Sequence, residues 1–361
     1  MQVNPKTGYL ALQNGKVFRG QRFGSPGGDA DEQHKTIFEV VFTTGVVGYL
    51  ETLTDKSYYG QAVVQTFPQI GNYGVIPGDL DGDMVGPAAY IVKSWCQSPS
   101  NFRSEGDIDA FLSSRGVVGL WGVDTRALTK IIRSEGVMNG VIVDDPSDVD
   151  VDALRSYKIK GAVEAVSTKE MKRFGTEGGA KTVALIDFGY NKCILDSLLK
   201  RGCSVVLCPH DTTCEKIREM DVDGVVLSNG PGDPADDAGI IANVKSVTGM
   251  GLPVFGVGLG HQLAALAQGF GTKKLAHGHR GGQPVRDTNT GRLYIAGQNH
   301  GYAVDADSVD KSAAREIFVS AVDGANEGLE YTDKKMITVQ FNPCGGAEDT
   351  RWVVDKFVGM L

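Results

Sequence analysis

Hydrophobic residues change their rhythm near the middle of the chain. In the first part, short apolar segments alternate with turn residues. Residues 9–12 and 16–19 flank Asn14-Gly15, a dipeptide suited to a tight turn, so a β-hairpin is expected there. Residues 36–44 and 61–67 are rich in β-branched and aromatic side chains and read as strands. Helical spacing appears over 108–114 and 126–134, the second behind Asp124-Thr125 as a cap. Strands followed by helices predict an α+β arrangement for residues 1–145.

Residues 146–180 turn polar, with Asp145-Pro-Ser-Asp-Val-Asp and later Gly175-Thr-Glu-Gly-Gly-Ala, and are expected to be a linker. From Lys181 onward, continuous apolar runs alternate with amphipathic segments. Strands are expected over 182–187, 204–208, 224–228 and 253–257. Helices are expected over 191–201, 214–220 and 240–250. This alternation predicts an α/β domain over 181–361, with a mainly parallel sheet covered by helices on both faces.

Composition narrows the class. The chain has 361 residues, 41% hydrophobic and 22% charged, as expected for a globular protein of two or three domains. A net charge of −8 argues against a general nucleic-acid surface. No apolar run reaches the length of a membrane span. Met1-Gln-Val-Asn-Pro-Lys has neither a secretory nor an Arg-rich transit pattern, so a cytoplasmic location is expected, or the mitochondrial matrix had a transit peptide been removed. The six cysteines, Cys96, Cys193, Cys203, Cys208, Cys214 and Cys344, form no C-x-x-C pair. They suit free thiols in a reducing compartment, with no zinc and no other cofactor.

The candidate chemistry centres on Gly256-Val-Gly258-Leu-Gly-His-Gln262. An apolar strand, a Gly-rich turn and the apolar positions Leu263 and Leu266 describe a strand–turn–helix elbow, a device that presents a nucleophile at the top of a sheet. The apex here is Gly258.

Leu227-Ser-Asn-Gly-Pro-Gly-Asp-Pro234 followed by the elbow resembles the class I glutamine amidotransferase domain. Gln298-Asn-His-Gly-Tyr-Ala-Val-Asp305 narrows the resemblance, as do Gly48-Tyr-Leu-Glu-Thr-Leu-Thr-Asp55, Gly71-Asn-Tyr-Gly74, Ser100-Asn-Phe-Arg103, Gly122-Val-Asp-Thr-Arg-Ala-Leu-Thr129 and Asp187-Phe-Gly-Tyr-Asn191. In this order, over nearly the whole chain, they resemble the small subunit of glutamine-dependent carbamoyl phosphate synthetase. The resemblance implies glutamine hydrolysis by a Cys–His–Glu triad, with ammonia passed to a large ATP-using subunit.

The triad positions depart from that family. Gly258 stands where the family has its Cys. Gln340-Phe-Asn342-Pro343-Cys344 stands where it has His-Pro-Glu, so Asn342 replaces the base and Cys344 its orienter. Gly45 replaces a Ser that contacts glutamine, and Gly281-Gly-Gln-Pro-Val is one residue short. Family ligand contacts match at Gly230, Gly232, Leu259, Gln262, Asn299 and Gly301, with Tyr302 where Phe is usual. Glycine at a strained apex is expected to relieve a positive φ. His261 reads as a packed residue of the following helix, and His300 as a structural residue in a tight turn. Cys344 sits behind the base position rather than at a nucleophile's place. His277-Gly-His279, without a neighbouring carboxylate in sequence, does not suggest a metal.

The expectation is therefore a catalytically inactive homologue of the small subunit, structural or regulatory within a larger complex. The alternatives are a glutamine-hydrolysing subunit using unexpected residues, and a scaffold recruited to an unrelated assembly. In each case the partner is a protein, either a large synthetase subunit or another multisubunit assembly.

Overall fold

In a computed structural model, residues 6–25, 36–176, 180–345 and 348–361 are described. The N-terminal positions 1–5 and residues 177–179 of the expected linker lie outside them. The chain divides into two units, Met1–Ile159 and Lys160–Leu361.

The first unit contains strands β1 (Thr7–Leu12), β2 (Val17–Gly24) and β3 (Phe38–Thr43), helix α1 (Tyr49–Thr54), β4 (Gln61–Ile70), β5 (Ala89–Trp95), α2 (Ile108–Ser114), β6 (Val118–Trp121), α3 (Thr125–Glu135), β7 (Met138–Val143) and α4 (Val151–Ser156). The expected hairpin forms. Leu10 pairs with Phe18 and Ala11 with Val17 across β1 and β2, and Gly15 takes φ 83° in the turn. The seven strands close into a barrel in the order β1-β2-β6-β5-β4-β3-β7. Period-two alternation builds two separate cores. Val40, Ala62, Val64 and Ile91 pack with Leu128 and Ile132 of α3. Their neighbours Val41, Val63, Tyr90 and Val92 pack with Leu50 and Leu53 of α1 and with Phe111 and Leu112 of α2. Asp124 caps α3 through the Ala127 amide at 2.9 Å.

The second unit continues with α5 (Ala162–Val166), β8 (Lys172–Phe174), β9 (Lys181–Asp187), α6 (Lys192–Lys200), β10 (Cys203–Pro209), α7 (Cys214–Glu219), β11 (Gly224–Leu227), α8 (Ala238–Thr248), β12 (Val254–Val257) and α9 (Leu259–Ala267). There follow β13 (Thr272–Asp287), β14 (Leu293–Val304), β15 (Ala314–Ser320), β16 (Asn326–Tyr331), β17 (Met336–Val339) and α10 (Trp352–Val358). These strands form one sheet ordered β14-β13-β15-β16-β17-β12-β11-β9-β10-β8. Its centre, β10-β9-β11-β12-β17, is parallel. Strands β13 to β16 form an antiparallel arm on one side, and β8 pairs antiparallel on the other. Both faces of the parallel centre are covered, as its continuous apolar runs require. Ala184, Ile186, Val225 and Leu227 pack against α8 and α9. Val183, Leu185, Val226 and Phe255 pack against α6 and α10.

Residues 146–180 are not bare linker. They carry α4, α5 and β8, and the division between units falls inside them. Apolar Leu154, Ala162 and Val166, spaced among polar residues, are buried and hold those short helices down. No helix among the described residues is long and apolar enough to cross a membrane.

Candidate functional site

The loops that follow β9, β11, β12 and β17 meet at the carboxyl edge of the parallel strands, where open α/β sheets place their ligands. Gly258 ends β12 with φ 56° and ψ −112°, a backbone state that nearly excludes residues with a Cβ. Its amide donates to the Val339 carbonyl at 2.9 Å, which fixes the apex beside β17. A Cβ built on Gly258 would lie 3.0 Å from the Asn229 Cβ and 3.4 Å from its Cα. Three first-turn amides behind it are already engaged. Gly260 N–H donates to the Ser228 carbonyl at 2.9 Å, and those of His261 and Gln262 donate to the Gly258 carbonyl at 3.1 and 3.2 Å.

The neighbouring loops are tied down by buried amides. Asn229 accepts the Asn191 N–H at 3.0 Å and donates to the Gly189 carbonyl at 3.1 Å and to the Asn191 side chain. Asp187, fully buried, accepts the amides of Gly189 and Tyr190 at 2.8 and 2.9 Å and that of Thr168 at 2.7 Å. This clamp sets the entry to α6.

Asn342 lies just beyond β17, where its amide donates to the Gly297 carbonyl at 2.8 Å. Its Oδ1 accepts the N–H groups of Cys344 and Gly345 at 2.9 and 3.0 Å, the local bond by which Asn organises a turn. Its Nδ2 lies 3.2 Å from the Cys193 sulfur on α6. Cys344 is nearly buried, at 9% exposure. A hydrogen bond from the Cys193 thiol brings the Cys344 thiol down to about 7. Burial opposes this, while Ser197 and the cations of Arg201 and Arg351 assist it.

The expected ligand contacts are placed as follows. Gly230 passes close to the Phe188 carbonyl, so close that a Cβ would lie 2.2 Å from it. Gly232 takes φ 96° in the same loop. Leu259 is 4% exposed and belongs to the core with Phe188 and Leu227 rather than lining open space. Gln262 is buried, and its Nε2 donates to the Tyr302 carbonyl at 2.7 Å and to Gln340 Oε1 at 2.9 Å. That carboxamide ties α9 to β14 and to the end of β17. Asn299, Gly301 and Tyr302 lie close together along β14, and the Lys274 ammonium stands 5.7 Å from the Tyr302 ring centre. Gly258, Asn342 and Gln262 therefore gather around the ends of β12 and β17.

His300 is not in a tight turn. It is a β14 residue opposite His279 of β13, with Nδ1 2.8 Å from the Tyr302 carbonyl. Likewise 277–280 belong to β13, where the register slips between Lys274 and His279. Among the described residues, His279, His300 and Glu327 are the one set of three potential metal ligands gathered within 4.8 Å. The carboxylates that His279 lacks in sequence arrive through folding. Its Nδ1 lies 3.2 Å from Glu327 and its Nε2 2.9 Å from Asp323. With both ring nitrogens on carboxylates, the donor set suits an imidazolium better than a metal ligand. Burial opposes the charge, but the two carboxylates overcome it and raise His279 above its ordinary value. Glu327 is fully buried. Burial pushes its carboxyl up, yet bonds from His279, His300 and Gln298 hold it at about 2. His261, also fully buried and 2.8 Å from the Thr338 hydroxyl through Nδ1, is driven down to about 3 by burial.

Sequence reasoning missed Glu327, Asp323 and the proximity of Cys193 to Asn342. Asn326-Glu327-Gly-Leu reads as an ordinary strand edge, and nothing local marks a buried carboxylate. Asp187 and Asn191 stand out in sequence as the ends of one motif, but their clamp on Asn229 does not.

Residues 10–142 match the model of the carbamoyl-phosphate synthase small chain, CPSase domain, and 184–359 that of the class I glutamine amidotransferases. The carbamoyl phosphate synthase small chain of Clostridium perfringens is 42% identical over 354 residues, covering 97% of this chain and 98% of that one. The small chain of Methanopyrus kandleri is 41% identical over 363 residues, covering 97% and 98%. Among solved structures, a glutamine amidotransferase from Thermotoga maritima aligns with a TM-score of 0.38 at 18% identity, over 48% of this chain and 81% of that one. On its near full-length similarity to the two small chains, this protein belongs to the carbamoyl phosphate synthase small chain family.

Proposed function

We propose that this small chain does not hydrolyse glutamine and serves as a non-catalytic subunit of a larger complex. The observation that carries the reading is the bare apex of the elbow. Glycine offers no atom to bond an amide carbon, and loss of the nucleophile in such triads costs on the order of 10⁶-fold. The rest of the edge is committed elsewhere. The Asn342 carboxamide organises its own turn and exchanges no proton near neutral pH. Gln262 holds α9 to β14. Gly230, Gly232, Leu259, Asn299, Gly301 and Tyr302 then persist as the shape of the edge rather than as contacts to glutamine. The partner is a large synthetase chain of the kind the family uses, which would draw on free ammonia. The functional halves are 1–145 and 181–361, in a reducing compartment that keeps all six thiols free.

The test is glutamate release from glutamine by the purified chain, alone and with whatever co-purifies in fixed ratio. No release above a heat-killed control is expected in either case. Sustained turnover by the wild-type chain overturns the reading. A triple variant, Gly258→Cys with Asn342→His and Cys344→Glu, checks the assignment of the three positions, since release by it alone places the lost chemistry there.

A further inference from the structure

Two cysteines flank Asn342, and one of them, Cys344, stands at the orienter's position of the lost triad. Cys193 is the second residue of α6, and Cys344 follows β17 by five positions. They are 151 residues apart in sequence, yet both meet the Asn342 side chain. Asn342 holds both from one side chain. Its Nδ2 lies 3.2 Å from the Cys193 sulfur, and its Oδ1 accepts the Cys344 amide at 2.9 Å. Both residues belong to one side-chain cluster, with Cys344 in its core and Cys193 packed on it at intermediate exposure. Arg201 is fixed nearby by Ser197 at 3.0 Å and by Asp355 at 2.6 Å. Its charge and that of Arg351 favour a thiolate at Cys344.

We propose that Cys193 and Cys344 are a redox-active dithiol, a modification site that hydrogen peroxide converts to an intramolecular disulfide. The Cys344 thiolate attacks one peroxide oxygen. The O–O bond breaks, hydroxide leaves and takes up a proton as water, and Cys344 becomes a sulfenic acid. The Cys193 sulfur, its proton lost to solvent, then attacks the Cys344 sulfur. The S–O bond breaks, a second hydroxide leaves as water, and the S–S bond closes. Peroxide gains two electrons, and the two thiols lose them. A small oxidant is specified because Cys344 is only 9% exposed. The roles follow from the site. Cys344 lies among the cations that stabilise a thiolate. Cys193, held on the same Asn342 side chain that bonds the Cys344 amide, is placed as the resolving thiol. Closure requires the sulfurs to approach to about 2.05 Å, a side-chain rotation at the first turn of a helix.

The other four cysteines serve as internal controls. Cys203 and Cys208 are buried, and burial raises both thiols, Cys208 to about 12. Cys214 is raised by its bond to Glu215, and Cys96 lies in the other unit.

The experiment treats the reduced full-length chain with one equivalent of hydrogen peroxide at pH 7. Free thiols are then alkylated as the chain is unfolded in denaturant, and peptides are mapped without reductant. A Cys193–Cys344 linked peptide, two hydrogens lighter than its parts and lost on reduction, is the expected product. Cys193→Ser should instead leave a sulfenic acid on Cys344 that dimedone traps. Cys344→Ser should abolish both products. Two results overturn the proposal. One is a wild-type map in which Cys96 or Cys214 is oxidised while Cys193 and Cys344 both remain alkylatable. The other is terminal oxidation of Cys344 with Cys193 still free. Because the wild-type map decides, failure of either variant to fold does not protect the proposal.

Discussion

Gly258→Ala tests the elbow geometry. Two effects compete. Alanine restricts the unfolded chain, which favours folding by about 0.7 kcal/mol. Against this, φ 56° with ψ −112° is a state that L-residues rarely enter, and holding one there costs roughly 2 kcal/mol. The new Cβ also meets the Asn229 Cβ at 3.0 Å. Asn229 cannot easily yield, because its side chain is bonded to Asn191 and Gly189. The net is a loss of about 1.5 kcal/mol. For a unit of the size of Lys160–Leu361, that lowers the midpoint by roughly 3–6 °C. Gly251→Ala is the matched control, since Gly251 also has positive φ, 78°, but nothing lies within 4 Å of its Cβ position. It should move the midpoint by less than about 2 °C, because strain and chain restriction nearly cancel. Scanning calorimetry of the three proteins decides. If Gly258→Ala melts no lower than Gly251→Ala, neither the strain nor the contact with Asn229 is what the backbone implies. Gly258→Cys meets the same strain and should also melt low, without glutamate release.

Other consequences are equally concrete. Asn342→Ala strands the amides of Cys344 and Gly345 that its Oδ1 now accepts. It should cost roughly 1–2 kcal/mol in denaturant titration, and a change under about 0.5 kcal/mol would contradict the turn-organising role. Glu327→Gln removes the charge facing His279 and His300 and should cost on the order of 3 kcal/mol; a near-neutral result would mean that the histidines do not rely on that charge. Stability should also fall with acid in two stages. The His261 value is depressed from 6.5 to about 3, so its contribution is complete above 6.5 and is lost as pH falls towards 3. The Glu327 value is depressed from 4.5 to about 2, so its contribution is complete above 4.5 and is lost towards 2. His279, raised above 6.5, works the other way, contributing fully below 6.5 and fading as pH rises through its folded value. Replacing His261 with Asn should flatten the pH dependence between 6.5 and 4.5 in urea melts at fixed pH, and an unchanged slope would remove His261 as its source.

The parts of this molecule that are legible in sequence are those whose cause is local. The Asn14-Gly15 hairpin, the α3 cap at Asp124 and the strand–turn–helix at Gly258 each depend on a few adjacent residues, and each is found where the pattern puts it. The antiparallel arm is not legible. β13 contains Gly278, Gly281 and Gly282 together with a register slip, and glycines in a strand blur period-two alternation. Barrel closure is equally hidden, because it depends on β7 returning to β1 across more than 120 residues. The site divides in the same way. The glycine at the apex is visible at one position, whereas what surrounds it is a set of long-range bonds. Asn342 is committed by Cys193, 149 residues away, and Gln262 by Gln340, 78 away. Gln262 shows why a matched residue is weak evidence for a retained role. Its carboxamide joins α9 to β14 and β17 through protein groups alone, so the fold is reason enough to keep it. A matched residue can therefore be kept for the fold alone, and competence must be judged from the reacting atoms, which glycine at the apex does not supply.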